Sequence, residues 1–272
     1  MEFESCYQAK KANDAGYVEY SDEENSTWQT LYQRQMKILP GRACDEHIAG
    51  LEKLGLSSTE IPQLPDVNLK LKAISGWTVK AVDALISHKE FFTLLANRIF
   101  PAATFIRVPA ELDYIKEPDI FHELFGHCPM LTQMEFADFT QKYAETVLNM
   151  SQEDWPLMQR LFWFTVEFGL IRTQKGIRAY GGGILSSIGE TQYCVESPLP
   201  LRIDYQVLSI LRTPYRIDMM QPIYYVINDY SQLYDALGGE IGDTIKQCRE
   251  LGEFPPVFEV EKGNPSIHVQ VC

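Results

Sequence analysis

The sequence predicts a predominantly α-helical (α+β) fold with small β-sheets, on three observations. Apolar residues recur at a 3.6-residue rhythm through most of the chain, capping signals stand at the head of several of these runs, and the strand-like segments are short and few. With 272 residues, 45% hydrophobic and 22% charged, the composition is that of an ordinary globular protein, long enough for a substantial core. No internal repeat or low-complexity linker divides it, so a single domain over 1–272 is expected, with about 1–16 as a loosely ordered start.

Taken in order, Ser21 with Glu24 forms a capping box, with Ser26 as an alternative cap, for a helix whose apolar face is Trp28, Leu31, Tyr32, Met36 and Leu39. "PGRA" ends it. Ile48, Leu51 and Leu54 mark a second helix, and the prolines of "IPQLPDV" then break the pattern by removing donors and restricting their neighbours. Asp66 is a candidate cap for a short helix. "WTVKAV", Trp77 to Val82, is expected as a strand, Ser87 with Glu90 as a capping box opening "HKEFFTLLANRIF", and "ATFIRV" as a second strand. Three helices are expected from Glu117 to Thr173, the last starting near Asp154 and Pro156, because proline is tolerated in a first helical turn. "AYGGGILSSIGE" suggests a glycine-rich turn region, "SQLYDALGGEIGDTIKQCREL" a late helix, and "FPPVFEVEKGNPSIHVQVC" extended segments.

A formal charge of −13 argues against nucleic acid and anionic membrane surfaces, since polyanions are bound by lysine and arginine. No apolar run reaches the roughly 18 residues needed to span a bilayer. The start "MEFESCYQAK" lacks a secretory signal pattern, so a cytoplasmic protein is expected. The cysteines (Cys6, Cys44, Cys128, Cys194, Cys248, Cys272) are scattered without C-x-x-C spacing and are expected as free thiols. Cys128, beside a histidine pair, is either a metal ligand or, more commonly for such a residue, a small buried thiol.

That pair lies in "PDIFHELFGHCP", where His122 and His127 are five residues apart; the other histidines are isolated. Zinc peptidases use H-E-x-x-H, whose separation of four turns about 400 degrees on a helix and stacks both rings on one face. Five residues turn about 500 degrees and leave the rings roughly 140 degrees apart on a regular helix. A shared metal therefore requires the helix to end or deform, most easily at Gly126. A third ligand must come from another element, and Glu167 is the one charged residue of "LFWFTVEFGLI". A bare carboxylate there must be protonated, bound to metal or paired, with Arg160 or Arg172 as candidates, unless it faces solvent. Two imidazoles and a carboxylate match the open triad of non-haem iron(II) oxygenases. A His2Glu zinc hydrolase with Glu123 as general base competes, with the histidine spacing against it, and a structural metal site is the non-enzymatic alternative.

"EPDIFHELFGHCP", "FWFTVEFGL", "AYGGGILSSIGETQY" and "QPIYYV" together resemble the catalytic domain of the pterin-dependent aromatic amino acid hydroxylases, and "YVEYSDEENSTW" resembles its start. The resemblance runs from about Tyr17 to the late helix and implies that domain's fold. It implies Fe(II) held by His122, His127 and Glu167, with O2 and a tetrahydropterin (tetrahydrobiopterin or a related bacterial pterin) reacting beside it. One oxygen atom would pass to the pterin and the other to an aromatic ring. By position, Arg107 would grip the amino acid carboxylate through a bidentate fork, assisted by Ser186. Pro118, Trp163 and Phe168 would border the substrate ring, with Tyr215 also on the substrate side. Phe91 would stack on the pterin, while Glu123 and backbone near Ala84 and Ile86 would read its polar edge. Asp119 would orient His122 or Arg107, or cap the helix, and Glu190 would bond a ligating imidazole and fix its tautomer.

Where tyrosine-using members carry an aspartate, this chain has Ile217, which favours L-phenylalanine as the substrate and L-tyrosine as the product; tryptophan and tyrosine are the alternatives. Ile115 replaces a threonine that animal members carry near the substrate. The length leaves no room for the regulatory domain and tetramer-forming helix of the animal enzymes, so a monomer or small homo-oligomer is expected.

Overall fold

Helix α1 (Asp22–Ile38) begins where the sequence signals it: the Glu24 backbone N–H donates to Ser21 Oγ, and the Ser21 N–H donates to the Glu24 carboxylate. Ser26 lies inside this helix and is not its cap. The computed structural model describes residues 7–83, 86–115, 117–238 and 241–258. Residues 7–16 are tied down rather than loose, because Tyr7 stacks on Phe105 with ring centroids 4.5 Å apart and Thr104 Oγ1 donates to the Lys10 carbonyl. The remainder of the expected loose start lies outside the described residues.

Helix α2 (Asp45–Leu54) ends at Gly55, whose φ of 60° is left-handed. Helix α3 (Leu64–Ser75) is longer than expected. Pro65 sits in its first turn, where a missing N–H costs no intrahelical bond, and Gln63 rather than Asp66 holds the cap position. Strand β1 (Thr78–Val82) pairs in parallel with β2 (Ile99–Ala103), and α4 (His88–Ala96) makes the crossover that a parallel pair requires. The second strand thus precedes the expected "ATFIRV", which carries no strand beyond Ala103. Ser87 caps α4 by accepting from the Glu90 N–H.

The segment expected as three helices is more broken. A π-helical turn (His122–His127) and a 3-10 turn (Met130–Thr132) lead into α5 (Met134–Leu148), followed by α6 (Trp155–Phe162). That helix continues as a second π turn (Trp163–Glu167) and gives way to strand β3 (Leu170–Thr173), so the final residues of the expected third helix are extended. β3 turns through Gly176, at φ 101°, into antiparallel β4 (Gly176–Ala179). The glycine-rich stretch then forms a one-turn helix α7 (Gly182–Leu185) and α8 (Ile188–Glu196), not a simple turn region.

Strand β5 (Leu201–Asp204), α9 (Val207–Arg212) and β6 (Ile223–Ile227) complete a mixed sheet in the order β4-β3-β6-β5. The late helix divides into a 3-10 segment (Tyr230–Ala236) and α10 (Ile241–Leu251) across Gly238. Residues 254–258 of the expected extended tail carry no strand, and the rest of it lies outside the described residues. Among the described residues no helix is long and apolar enough to cross a membrane.

One large core, rich in rings such as Trp28, Trp77, Phe92, Phe125 and Tyr143, joins these layers. Both π turns and α7 meet at its edge, and α2 packs behind the first π turn. Ser21→Ala removes half of the α1 capping box and should lower unfolding free energy by about 1 kcal/mol in urea titration, with an unchanged m-value.

Candidate active site

In both π turns the backbone bonds from residue i to i+5: the Cys128 N–H donates to the Glu123 carbonyl at 3.2 Å and the Phe168 N–H to the Trp163 carbonyl at 2.8 Å. Five residues therefore close about one turn, and His122 and His127 come to the same face. Their Nε2 atoms lie 2.9 Å apart. Glu167, last residue of the second π turn, places Oε1 3.2 Å from His127 Nε2 and Oε2 3.7 Å from His122 Nε2. Donors at right angles around a metal with bonds of about 2.1 Å stand about 3 Å apart, so this trio suits three positions on one face of an ion.

The charge states suit it as well. Burial, reinforced by His127, pushes His122 down to about 4, so its ring is neutral and keeps a lone pair. Burial works to raise the Glu167 carboxyl, but His127, His122 and the Gly183 N–H together hold it below its ordinary value, as an anion. Neither arginine considered as its partner pairs with it: Arg160 binds Glu253 and Arg172 binds Asp204. Glu123 offers a carboxyl oxygen within 4.8 Å of both ligating imidazoles and is a fourth donor in reach. Burial, then the charges of Glu167 and Asp119, push it well above its ordinary value, so it is the neutral acid of the pair. Of the two carboxyls, Glu167 is the one held as an anion and in contact with both rings.

Next to this centre, Asp119 and Arg107 form a buried ion pair. Asp119 Oδ2 accepts from Arg107 Nε at 2.8 Å and from its backbone N–H at 3.0 Å, while Oδ1 accepts from Arg107 Nη2 at 2.9 Å and from the His122 backbone N–H at 3.0 Å. Burial opposes ionisation, yet Arg107 and these amides hold Asp119 below the usual carboxylate range. An aromatic stack lies along the second π turn: Trp163 is stacked on Tyr215 and tilted against Phe168, with both centroid distances 4.4 Å.

The model of the family described as biopterin-dependent aromatic amino acid hydroxylase matches residues 2–248. The chain belongs to this family. The phenylalanine-4-hydroxylase of Pseudomonas aeruginosa is 47% identical over 93% of this chain and 96% of its own length. The solved phenylalanine hydroxylase of Legionella pneumophila is 58% identical with a TM-score of 0.91, covering 92% of this chain and 100% of that one. The Chromobacterium violaceum enzyme, solved with bound oxidised Fe(III), is 42% identical with a TM-score of 0.84 over 90% of this chain and 91% of that one.

For a hydroxylase of this family, several sequence expectations need revision. Gly126 is not where the helix breaks, since the whole turn is widened; a Cβ there would stand 2.6 Å from the Gly182 carbonyl oxygen, so close approach is what requires glycine. The same holds along "GGG": a Cβ on Gly182 would sit 2.4 Å from the His127 ring, one on Gly181 2.3 Å from the Glu167 carbonyl oxygen, and one on Gly183 3.0 Å from Glu167 Oε2. These three glycines let α7 lie directly on His127 and Glu167.

Glu190 does not orient an imidazole. Its Oε1 accepts from the Gln221 N–H and the Tyr224 hydroxyl, and the ligand it was expected to hold is met instead by Ser186, whose Oγ lies 3.0 Å from His122 Nδ1. Asp119 fills both roles proposed for it, pairing with Arg107 and capping the turn at His122. That pair occupies the Nε–Nη2 edge of Arg107, so a carboxylate can be gripped only through the edge bearing Nη1. Phe91 is fully buried, meeting Phe92 and Phe162 edge-on, so neither face of its ring is open for stacking on a pterin. Ile86 is half-buried against the core, and Ala84 lies outside the described residues.

Pro118 is half-buried at the entrance to the first π turn, Ile217 packs on the rim of the core, and Ile115 packs against the Ala103–Phe105 cluster. Cys128 is buried, with burial and then Glu123 pushing its thiol up, and is not one of the clustered donors. Gln221 was missed. Its Oε1 accepts from Trp163 Nε1 at 3.0 Å, and its Nε2 donates to the carbonyls of Arg216 and Met219, which ties the aromatic stack to the Ile217 loop. A lone amide before "PIYYV" was the available signal. Gly182→Ala should displace the His127 ring and weaken Fe(II) binding by roughly 10- to 100-fold in a titration of metal-free protein; unchanged affinity would remove the close-packing account.

Proposed function

We propose that this hydroxylase converts L-phenylalanine to L-tyrosine with O2, using Fe(II) held by His122, His127 and Glu167 and a tetrahydropterin as co-substrate. The observation that carries the metal site is the convergence of two imidazoles, that of His122 neutral, and one anionic carboxylate: the two Nε2 atoms are 2.9 Å apart, and Glu167 sets Oε1 3.2 Å from His127 and Oε2 3.7 Å from His122. When bound, the ferrous ion and the tetrahydropterin supply the electrons and the open coordination site at which O2 is activated. The protein's task is placement and exclusion of water.

Ser186 fixes the His122 ring from its Nδ1 side, which directs Nε2 at the metal position. Arg107, locked by Asp119, presents its Nη1 edge to the amino acid carboxylate, and the same carboxylate of Asp119 bonds the His122 backbone, linking substrate anchor to metal ligand. Pro118, Trp163 and Phe168 border the substrate ring, with Tyr215 stacked behind Trp163. Ile217, partly buried against the core, is an aliphatic side chain that itself offers no partner to a phenolic hydroxyl, which favours phenylalanine over tyrosine. Glu123, as a neutral acid, can donate an O–H to the polar edge of a pterin, with backbone near Ile86 as a further contact; Phe91 is left out of this set for lack of an open face. The zinc hydrolase with Glu123 as base is set aside by family membership. Buried free thiols at Cys44, Cys128, Cys194 and Cys248 support a reducing, cytoplasmic setting.

Alanine at His122, His127 or Glu167 should abolish tyrosine formation and Fe(II) binding while leaving the far-UV spectrum intact; full turnover in any of the three overturns the ligand set. Arg107→Lys keeps the charge that Asp119 needs but loses the planar fork. One charge-assisted bond is worth about 1.5 to 3 kcal/mol, so KM for phenylalanine should rise at least about tenfold with kcat little changed.

A further inference from the structure

Behind the first π turn lies a third histidine that the proposed reaction does not use. His47 of α2 is fully buried, its Nε2 is 2.9 Å from the Phe125 carbonyl oxygen, and its ring meets the Phe125 ring edge-on at 5.7 Å. A carbonyl only accepts, so Nε2 carries the proton and donates. The ring is neutral, with burial pushing it down to about 4.

The Phe125 carbonyl needs this donor. In an α-helical register its partner would be the N–H of residue 129, but that residue is Pro129 and has none. In the π register it would be the N–H of residue 130, and among the described residues no backbone N–H outside the turn bonds to it. Three residues further along the same face of α2, a Cβ on Gly50 would stand 2.3 Å from the Pro129 carbonyl oxygen. Helix α2 therefore meets the end of the π turn at two points, one a hydrogen bond and one a contact that only glycine permits.

We infer that His47 is a positioning residue for the metal centre: its Nε2–H, donated to the Phe125 carbonyl, fixes the wide turn that puts His122 and His127 on one face. Without that register the two rings would return to the divergent directions of a regular helix. The inference rests on the proposed metal site.

The test compares His47→Phe, which keeps a buried ring and loses the donor, with His47→Gln, whose amide N–H can reach the carbonyl. His47→Met serves as a second donorless variant should the phenylalanine not fold. Metal-free full-length protein is titrated with Fe(II) and Co(II), and the visible absorption of the Co(II) form is recorded beside far-UV circular dichroism. Folded donorless variants should bind either ion about 10- to 100-fold more weakly, with a shifted Co(II) band and a lower kcat at unchanged KM for phenylalanine. His47→Gln should restore affinity and band. Wild-type affinity and spectrum in a donorless variant, or equal loss in His47→Gln, overturns the inference. His122→Ala separates the two levels: loss of metal there with normal binding in His47→Phe sinks only the His47 role, whereas retained metal in His122→Ala sinks the site itself.

Discussion

Two imidazoles and a carboxylate, His122, His127 and Glu167, meet at a point inside an apolar core, and the backbone register that brings them there governs the surrounding structure. Regular helices would not do it, because five residues of α-helix overshoot one turn and aim His122 and His127 apart. Widening the ring of backbone bonds to i→i+5 brings them together. The segment carrying Glu167 is widened in the same way. Each π turn forgoes regular helical bonding and has to be held by its neighbours, since such turns persist where packing and function support them. Asp119 bonds the turn at its start, His47 bonds it near its end, and α7 lies against it without intervening side chains.

Electrostatics follow from the same crowding. Glu123 and Glu167 are close enough to repel, and both are buried, so they do not ionise equally. Glu167 has two imidazoles and the Gly183 amide and remains an anion. Glu123 has charged neighbours of its own sign and keeps its proton. A few residues away, Asp119 is also buried, but a guanidinium and two backbone amides answer its charge. A buried pair of this kind contributes little net stability, yet removing one partner would strand the other in low dielectric. Its value is geometric: one carboxylate fixes both Arg107 and the backbone of His122.

Along the second π turn, order comes from a polar chain threaded through apolar walls. Glu190 accepts from Tyr224 and from the Gln221 backbone, and the Gln221 side chain in turn holds Trp163 and the loop carrying Ile217. Every member of the chain is buried and bonded, the condition under which such a network rigidifies a site rather than weakening it. The aromatic stack of Phe168, Trp163 and Tyr215 is thereby fixed to the same π turn that presents Glu167.

Local chemistry made much of this legible from the chain alone. The box of Ser21 and Glu24, the cap at Ser87, the strand after Trp77 and the proline-tolerant start of α6 are short-range effects, decided by residues within a turn of one another. His122, His127 and Glu167 were legible as candidate donors, since the histidine spacing asked for a deformed helix and a carboxylate in an apolar run asked for a partner, while the resemblance to the family joined the three into one set. Tertiary structure alone decided the rest. The sequence could say that the helix must deform but not that it widens evenly, since π and α registers differ little locally and packing selects between them. It gave the glycines of "GGG" no function, because what they make room for lies on elements distant in sequence. Ser186 made the imidazole contact expected of Glu190, Glu190 bonded Gln221 and Tyr224 instead, and Phe91 turned inward, for the same reason: the partner of a buried side chain is set by which elements meet, and that is settled only when the whole core closes.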